Sequence, residues 1–152
     1  MAVDPTLKRK LKEGKSNATG VRFQDLRWVM DVCQSISPMN GGEALKELME
    51  LRCVTIFKMV ELTGFSMATV KRLRDGKHLA SVEQIAAIAV ALELHPRISS
   101  ELLKKNGISI DFNNEKNIVY NEVLTEYYNK GMEDANEFLK ECGYPVLKGE
   151  AA

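Results

Sequence analysis

The stretch Thr55-Ile56-Phe57-Lys58-Met59-Val60-Glu61-Leu62-Thr63-Gly64-Phe65-Ser66-Met67-Ala68-Thr69-Val70-Lys71-Arg72-Leu73-Arg74-Asp75-Gly76-Lys77 decides the fold. Thr63-Gly64-Phe65-Ser66 breaks one short amphipathic helix and opens another, because Gly accommodates a tight turn and the Ser hydroxyl caps a new helix. Thr55 is placed to cap the first of the two, whose inward positions are Met59, Val60 and Leu62. Thr69, Val70 and Leu73 fall on the inner or flanking face of the second, which Asp75-Gly76 stops. Two short helices joined by a Gly-bearing turn form a helix-turn-helix.

Outward from this centre, a preceding helix is expected from about Glu43 to Leu51, with Ala44, Leu45, Leu48 and Met49 inward. Ser81 with Gln84 three residues on reads as a capping box, opening a fourth helix with the stripe Ile85, Ile88, Ala89 and Leu92. A fifth begins near Pro96, carries Ile98, Leu102 and Leu103, and ends at Asn106-Gly107. Residues 43–107 thus describe a compact all-α domain of five short helices.

Three further segments flank it. Residues 1–20 look like a basic flexible arm, since Leu7-Lys8-Arg9-Lys10-Leu11-Lys12 is followed by Gly14, Ser16, Asn17 and Gly20. Residues 21–42 hold a helix of about three turns (Phe23, Leu26, Trp28, Val29, Val32, Cys33, Ile36) and then the linker Ser37-Pro38-Met39-Asn40-Gly41-Gly42. Residues 108–152 read as a C-terminal αα-hairpin. Its first helix, near 115–129, aligns Ile118, Val119, Val123, Leu124, Tyr127 and Tyr128; its second, near 132–142, aligns Met132, Ala135, Phe138 and Leu139, with Gly131 between them.

An apolar fraction of 45 % suits a folded protein, and the longest apolar run, Ile85 to Leu92, is too short to span a bilayer. The first residues lack the apolar core of a secretory signal, so a cytoplasmic location is expected. Cys33, Cys53 and Cys142 are far apart and are read as small buried hydrophobes, while His78 and His95 have no cysteine at finger-like spacing. No metal, cofactor or enzymatic motif is therefore expected. Net charge is formally zero, but residues 1–27 hold seven Lys/Arg against three Asp/Glu, whereas residues 106–152 hold four against nine. Zero is a cancellation between a basic front and an acidic tail.

The Thr55 start, the Gly64-Phe65-Ser66 turn, Thr69-Val70-Lys71-Arg72-Leu73 and Gly76-Lys77 with Ser81-Val82-Glu83 resemble the helix-turn-helix domain of Cro and the phage repressors, the XRE-like family. The resemblance covers about residues 45–95, and the tail from Ile118 to Leu147 is similar to helical extensions found after such domains in bacteria. It departs at Ile56, where the family usually places a Gln that grips a phosphate. It departs again at Met67-Ala68, where a polar or basic residue is common, and at Leu79-Ala80, which stands for Asn-Pro.

The resemblance implies a sequence-specific DNA-binding transcriptional regulator whose third helix, about 66–74, enters the major groove. Lys71, Arg72, Arg74 and Lys77 supply cations for phosphates or guanine, Thr69 and Lys71 are the base readers, and Met67 and Ala68 offer contact to thymine methyls. Thr55 and Ser66 complete the expected contact set. A Lys/Arg cluster on a short helix is by itself commonly a solvated face, and Met67 is as readily a core residue as a contact. The partners expected are double-stranded DNA and a second copy, with the hairpin stripe (Val123, Leu124, Tyr127, Phe138, Leu139) as the dimer contact; the bland alternative folds that stripe back onto Trp28 and Phe23. A protein-interaction adaptor, or an antitoxin-like chain whose acidic hairpin covers a basic partner, is the competing reading.

Overall fold

The computed structural model describes residues 23–147, with side chains from Asp25 onward, and among these residues holds eight α-helices, one π-helical turn and no strand. They are α1 Phe23–Ile36, α2 Gly41–Leu51, α3 Ile56–Thr63, α4 Met67–Arg74, α5 Val82–Leu92, α6 Pro96–Lys105, α7 Glu115–Glu122 running into a π turn Val123–Tyr127, and α8 Met132–Glu141. Helices α2 to α6 are the five expected in the central module. The expected arm, residues 1–20, lies outside the described residues, and so does the side chain of Phe23.

Helix starts follow the sequence signals closely. Ser81 and Gln84 form the capping box, Pro96 occupies the first turn of α6, and α6 closes at Asn106. The largest difference is at α2, which begins at Gly41 because Asn40, not a residue nearer Glu43, is its cap. The Asn40 Oδ1 accepts from the Glu43 backbone N–H at 2.8 Å and the Glu43 carboxylate accepts from the Asn40 N–H at 3.0 Å. Gly41 and Gly42 are therefore helix, not linker. Gly42 is buried, and a Cβ there would stand 2.5 Å from the Arg74 carbonyl oxygen and 2.6 Å from the Gly76 nitrogen. Only a residue without a side chain lets α2 cross the end of α4 this closely.

One apolar cluster joins all of these helices, from Trp28 and Val29 in α1 to Leu139 in α8 and Leu147 beyond it. At its centre is α5, whose Val82, Ile85, Ala86, Ala87, Ile88, Ala89, Val90 and Leu92 are all buried. A helix apolar on every side must be covered on every side. Helices α3 and α6 pack on α5 from within the module, and α7, the π turn and α8 cover it from the C-terminal extension. Three of the five hairpin stripe residues are thus core of this same chain: Val123 and Leu139 are fully buried and Leu124 is 2 % exposed. Tyr127 and Phe138, the other two stripe residues, are half-buried and stack on each other with ring centroids 4.9 Å apart. The stripe does not rest principally on α1, which packs chiefly on α6 and α2.

Two expectations on side chains are corrected. Ile118 is exposed, because the buried side of α7 is built from Val119 and Tyr120. The cysteines are not a buried set: Cys33 is half-buried, whereas Cys53 and Cys142 are exposed. Cys53 occupies a left-handed turn just after α2 (φ 57°) and Cys142 is the C-cap of α8, both places where the chain leaves the core.

The helix ends are pinned by side chains from distant elements. Arg52 donates from Nε to the Leu92 carbonyl at 2.7 Å and from Nη2 to the Glu93 carbonyl at 2.9 Å, closing the C-terminus of α5, and its guanidinium lies 5.9 Å from the Trp28 ring centroid. Lys105 Nζ donates to the carbonyls of Ser37 and Met39, at 3.0 and 2.7 Å, which fixes the α1–α2 connection on the end of α6.

Candidate nucleic-acid interface

The turn between α3 and α4 is built by two side chains and a glycine. The Thr63 hydroxyl, fully buried, donates to the Met59 carbonyl at 2.7 Å and accepts from the Phe65 N–H at 3.1 Å. Gly64 adopts a left-handed φ of 80°, which ends α3 without strain. Ser66 then caps α4, its Oγ accepting from the Thr69 N–H at 3.1 Å while its hydroxyl donates to Thr69 Oγ1 at 2.9 Å.

Val70 and Leu73 anchor α4 to the core, and the opposite side carries exposed Ala68, Lys71 and Arg72. These three share a face, because residues three and four apart are neighbours on a helix. At the far end the Lys77 N–H bonds the Arg72 carbonyl at 3.0 Å and the Gly76 N–H bonds Leu73 at 3.3 Å, with Gly76 at φ 73°. This closure presents Lys77 as an exposed cation one residue past the turn. Lys71, Arg72 and Arg74 in the last turn also complement the helix dipole, worth about 0.3–1 kcal/mol each at the surface.

The structure therefore brings Ser66, Ala68, Lys71, Arg72 and Lys77 onto accessible surface on and around α4. Met67 and Thr69 are half-buried at its opening turn. Arg74 differs from its neighbours: it is half-buried, and its Nε is enclosed with no hydrogen-bond partner. Thr55 stands apart from this group at the start of α3, where its Oγ1 accepts from the Lys58 N–H at 3.1 Å as the predicted cap. Ile56 beside it is half-buried and packs on the core edge, so the position that differs from the family pattern contributes packing.

Two large apolar side chains stand exposed on the elements before and after α4. Phe57, 72 % exposed, projects from the first turn of α3, and Leu79, 65 % exposed, projects from the loop after α4. The signal for Phe57 was its position off the inward set Met59, Val60 and Leu62. Leu79 had no periodic signal, being outside any helix.

Among protein families, the comparison identifies a region of this chain that contains the whole α3–turn–α4 unit. Residues 44–97 match the Cro/C1-type HTH DNA-binding domain. Searches of curated proteins and of solved structures gave no match. The Cro/C1-type match supports a DNA-binding regulator in general terms, with α3 and α4 as its paired helices. It opens inside α2 and closes inside α6, leaving α1 and the hairpin outside. Among the described residues no helix is long and apolar enough to cross a membrane.

The hairpin meets the region matched to the Cro/C1-type family at an ion pair and a ring contact. Lys116 of α7 lies 2.6 Å from Glu83 in the first turn of α5. Burial would raise the Glu83 carboxyl, but the Lys116 ammonium, with Glu83's own backbone N–H and the Ser81 hydroxyl, outweighs it and holds the group below its ordinary value. His95, the N-cap of α6, accepts at Nδ1 from the Arg97 N–H at 3.1 Å and meets Tyr128 edge-on at 6.1 Å. Burial, with the Arg97 charge behind it, pulls His95 below the ordinary histidine range.

Proposed function

We propose that this chain is a sequence-specific DNA-binding transcriptional regulator of the cytoplasm that lays α4 in the major groove. The observation that carries the reading is the Ala68–Lys71–Arg72 face, held outward by Val70 and Leu73 on a helix that follows a fully bonded Thr63–Ser66 turn. Lys71, Arg72 and Lys77 supply the phosphate and guanine contacts. Thr69 offers its hydroxyl, and Ala68 and Met67 meet thymine methyls. Arg74 is assigned a supporting part, since its Nε faces inward. With so few hydrogen-bonding groups on α4, sequence choice is modest and affinity is mainly electrostatic.

A homodimer on two half-sites about 34 Å apart belongs to this reading, because one recognition helix reads only a few base pairs. Of the hairpin stripe, Val123, Leu124 and Leu139 are taken up by the core, which leaves the half-buried Tyr127 and Phe138 for its contact. A second reading, a protein-interaction adaptor on the same fold, is favoured by the exposed Phe57 and Leu79, apolar side chains on elements flanking α4. Replacing Lys71 and Arg72 with Ala separates the two. Neither side chain belongs to the core, so helical circular dichroism is retained, while affinity for duplex DNA falls and the slope of log K on log salt flattens by about two. Unchanged binding of DNA would remove α4 as the recognition element.

A further inference from the structure

The outer face of α7 has a character that neither the fold nor DNA binding accounts for. Glu115, Ile118, Glu122 and Glu126, spaced by three and four residues, are all exposed, and Asp111 and Phe112 precede them on the connecting turn. Ile118 is 45 % and Phe112 63 % exposed, so two apolar side chains stand uncovered among carboxylates. The cations of this region are engaged elsewhere: Lys116 pairs with Glu83, and Lys130 lies over the Tyr127 ring at 4.9 Å.

We propose that this face docks the chain's own segment from Leu7 to Lys15. That segment is its chemical complement, with five Lys/Arg (Lys8, Arg9, Lys10, Lys12, Lys15) against one Glu, and with Leu7 and Leu11 to meet Ile118 and Phe112. The contact proposed is within one molecule. Trp28 of α1 touches Arg52, Arg52 bonds Glu93, and His95, two residues on, meets Tyr128 just past the π turn. These contacts link the first half of α1 to the residue just past the π turn. From the start of α1 the seven residues from 16 to 22 span up to about 25 Å when extended. Surface ion pairs are weak and screened, so the segment is held loosely and duplex DNA, with its denser charge, draws it away. The docking does not depend on the DNA reading; only the competition does.

The test compares amide correlation spectra of the isotope-labelled full chain with those of a full-length variant in which Lys8, Arg9, Lys10, Lys12 and Lys15 are all Gln. At low salt the signals of Phe112, Ile118, Glu122 and Glu126 shift between the two proteins while those of Glu133 and Glu137 on α8 do not, and the difference collapses near 1 M salt, where the Debye length is about 3 Å. In an E122Q/E126Q background, neutralising the segment no longer moves Phe112 and Ile118. Identical α7 signals in the first pair overturn the proposal. A shift that fades on dilution also overturns it, placing the segment on a second copy instead. No DNA is present, so a chain that fails to bind DNA leaves the outcome intact.

Discussion

Replacing Gly42 with alanine tests the closest backbone approach in the structure. The added Cβ would meet the Arg74 carbonyl at 2.5 Å and the Gly76 nitrogen and Cα at 2.6 and 2.9 Å. These are main-chain atoms that cannot rotate aside, so α2 must move from the end of α4 or the turn at Gly76 must open. Overpacking of this kind costs about 1–3 kcal/mol, against a helix-propensity gain of at most about 1 kcal/mol for Gly to Ala. The net loss is about 1–2 kcal/mol, which lowers Tm by roughly 3–8 °C in a chain of this size. Gly41→Ala is the internal control. Its Cβ would meet only the Asn106 side chain, at 3.2–3.5 Å, so that variant stays within about 0.5 kcal/mol of the parent. Thermal unfolding followed by circular dichroism reads both. DNA affinity should fall in Gly42→Ala as well, because the displaced turn carries Lys77. Equal melting temperatures for the two variants would refute the close packing of α2 on α4.

Leu139→Ala, at a fully buried site, should cost about 2–5 kcal/mol in a urea melt without changing the sedimentation coefficient; dissociation of a dimer instead would return Leu139 to an interface. His95 has a folded pKa held below its ordinary 6.5, so its contribution to stability is present above that pH and is lost as pH falls towards the folded value. His95→Asn keeps a cap acceptor and does not titrate, so stability should decline less between about pH 7 and pH 5; an unchanged slope would dismiss the role of His95. Deleting residues 1–20 should weaken binding to all DNA sequences alike at low salt, measured by fluorescence anisotropy, and equal affinity would show the arm to be inert.

The helix order was legible because its punctuation is chemical: Thr55, Ser66 and Ser81 each place an oxygen where the first free N–H groups need one, and Gly64, Gly76 and Gly107 each take a left-handed turn. The misreadings came from packing between elements. Gly41-Gly42 looked like a linker because a sequence does not reveal that α4 passes within touching distance. Ile118 was assigned inward on periodicity, whereas Tyr120, fully buried with its hydroxyl near the Pro145 carbonyl at 3.4 Å, fills that side. For the site, Lys71, Arg72 and Lys77 could be placed on the surface from Val70 and Leu73 alone. The inward turn of Arg74 and the exposure of Leu79 needed three dimensions.

Beyond Glu83 and Gln84, helix α5 is apolar around its whole circumference, and this limits what may be borrowed from the protein. A segment cut at the family boundaries, residues 44–97, would start one turn into α2, stop at the head of α6, and carry α5 with the flank that α7 and α8 normally cover laid open to water. Such a fragment is an adhesive rather than a cassette. Anyone grafting these DNA-reading helices onto another protein must transplant the acidic hairpin with them, or repaint that flank with polar side chains.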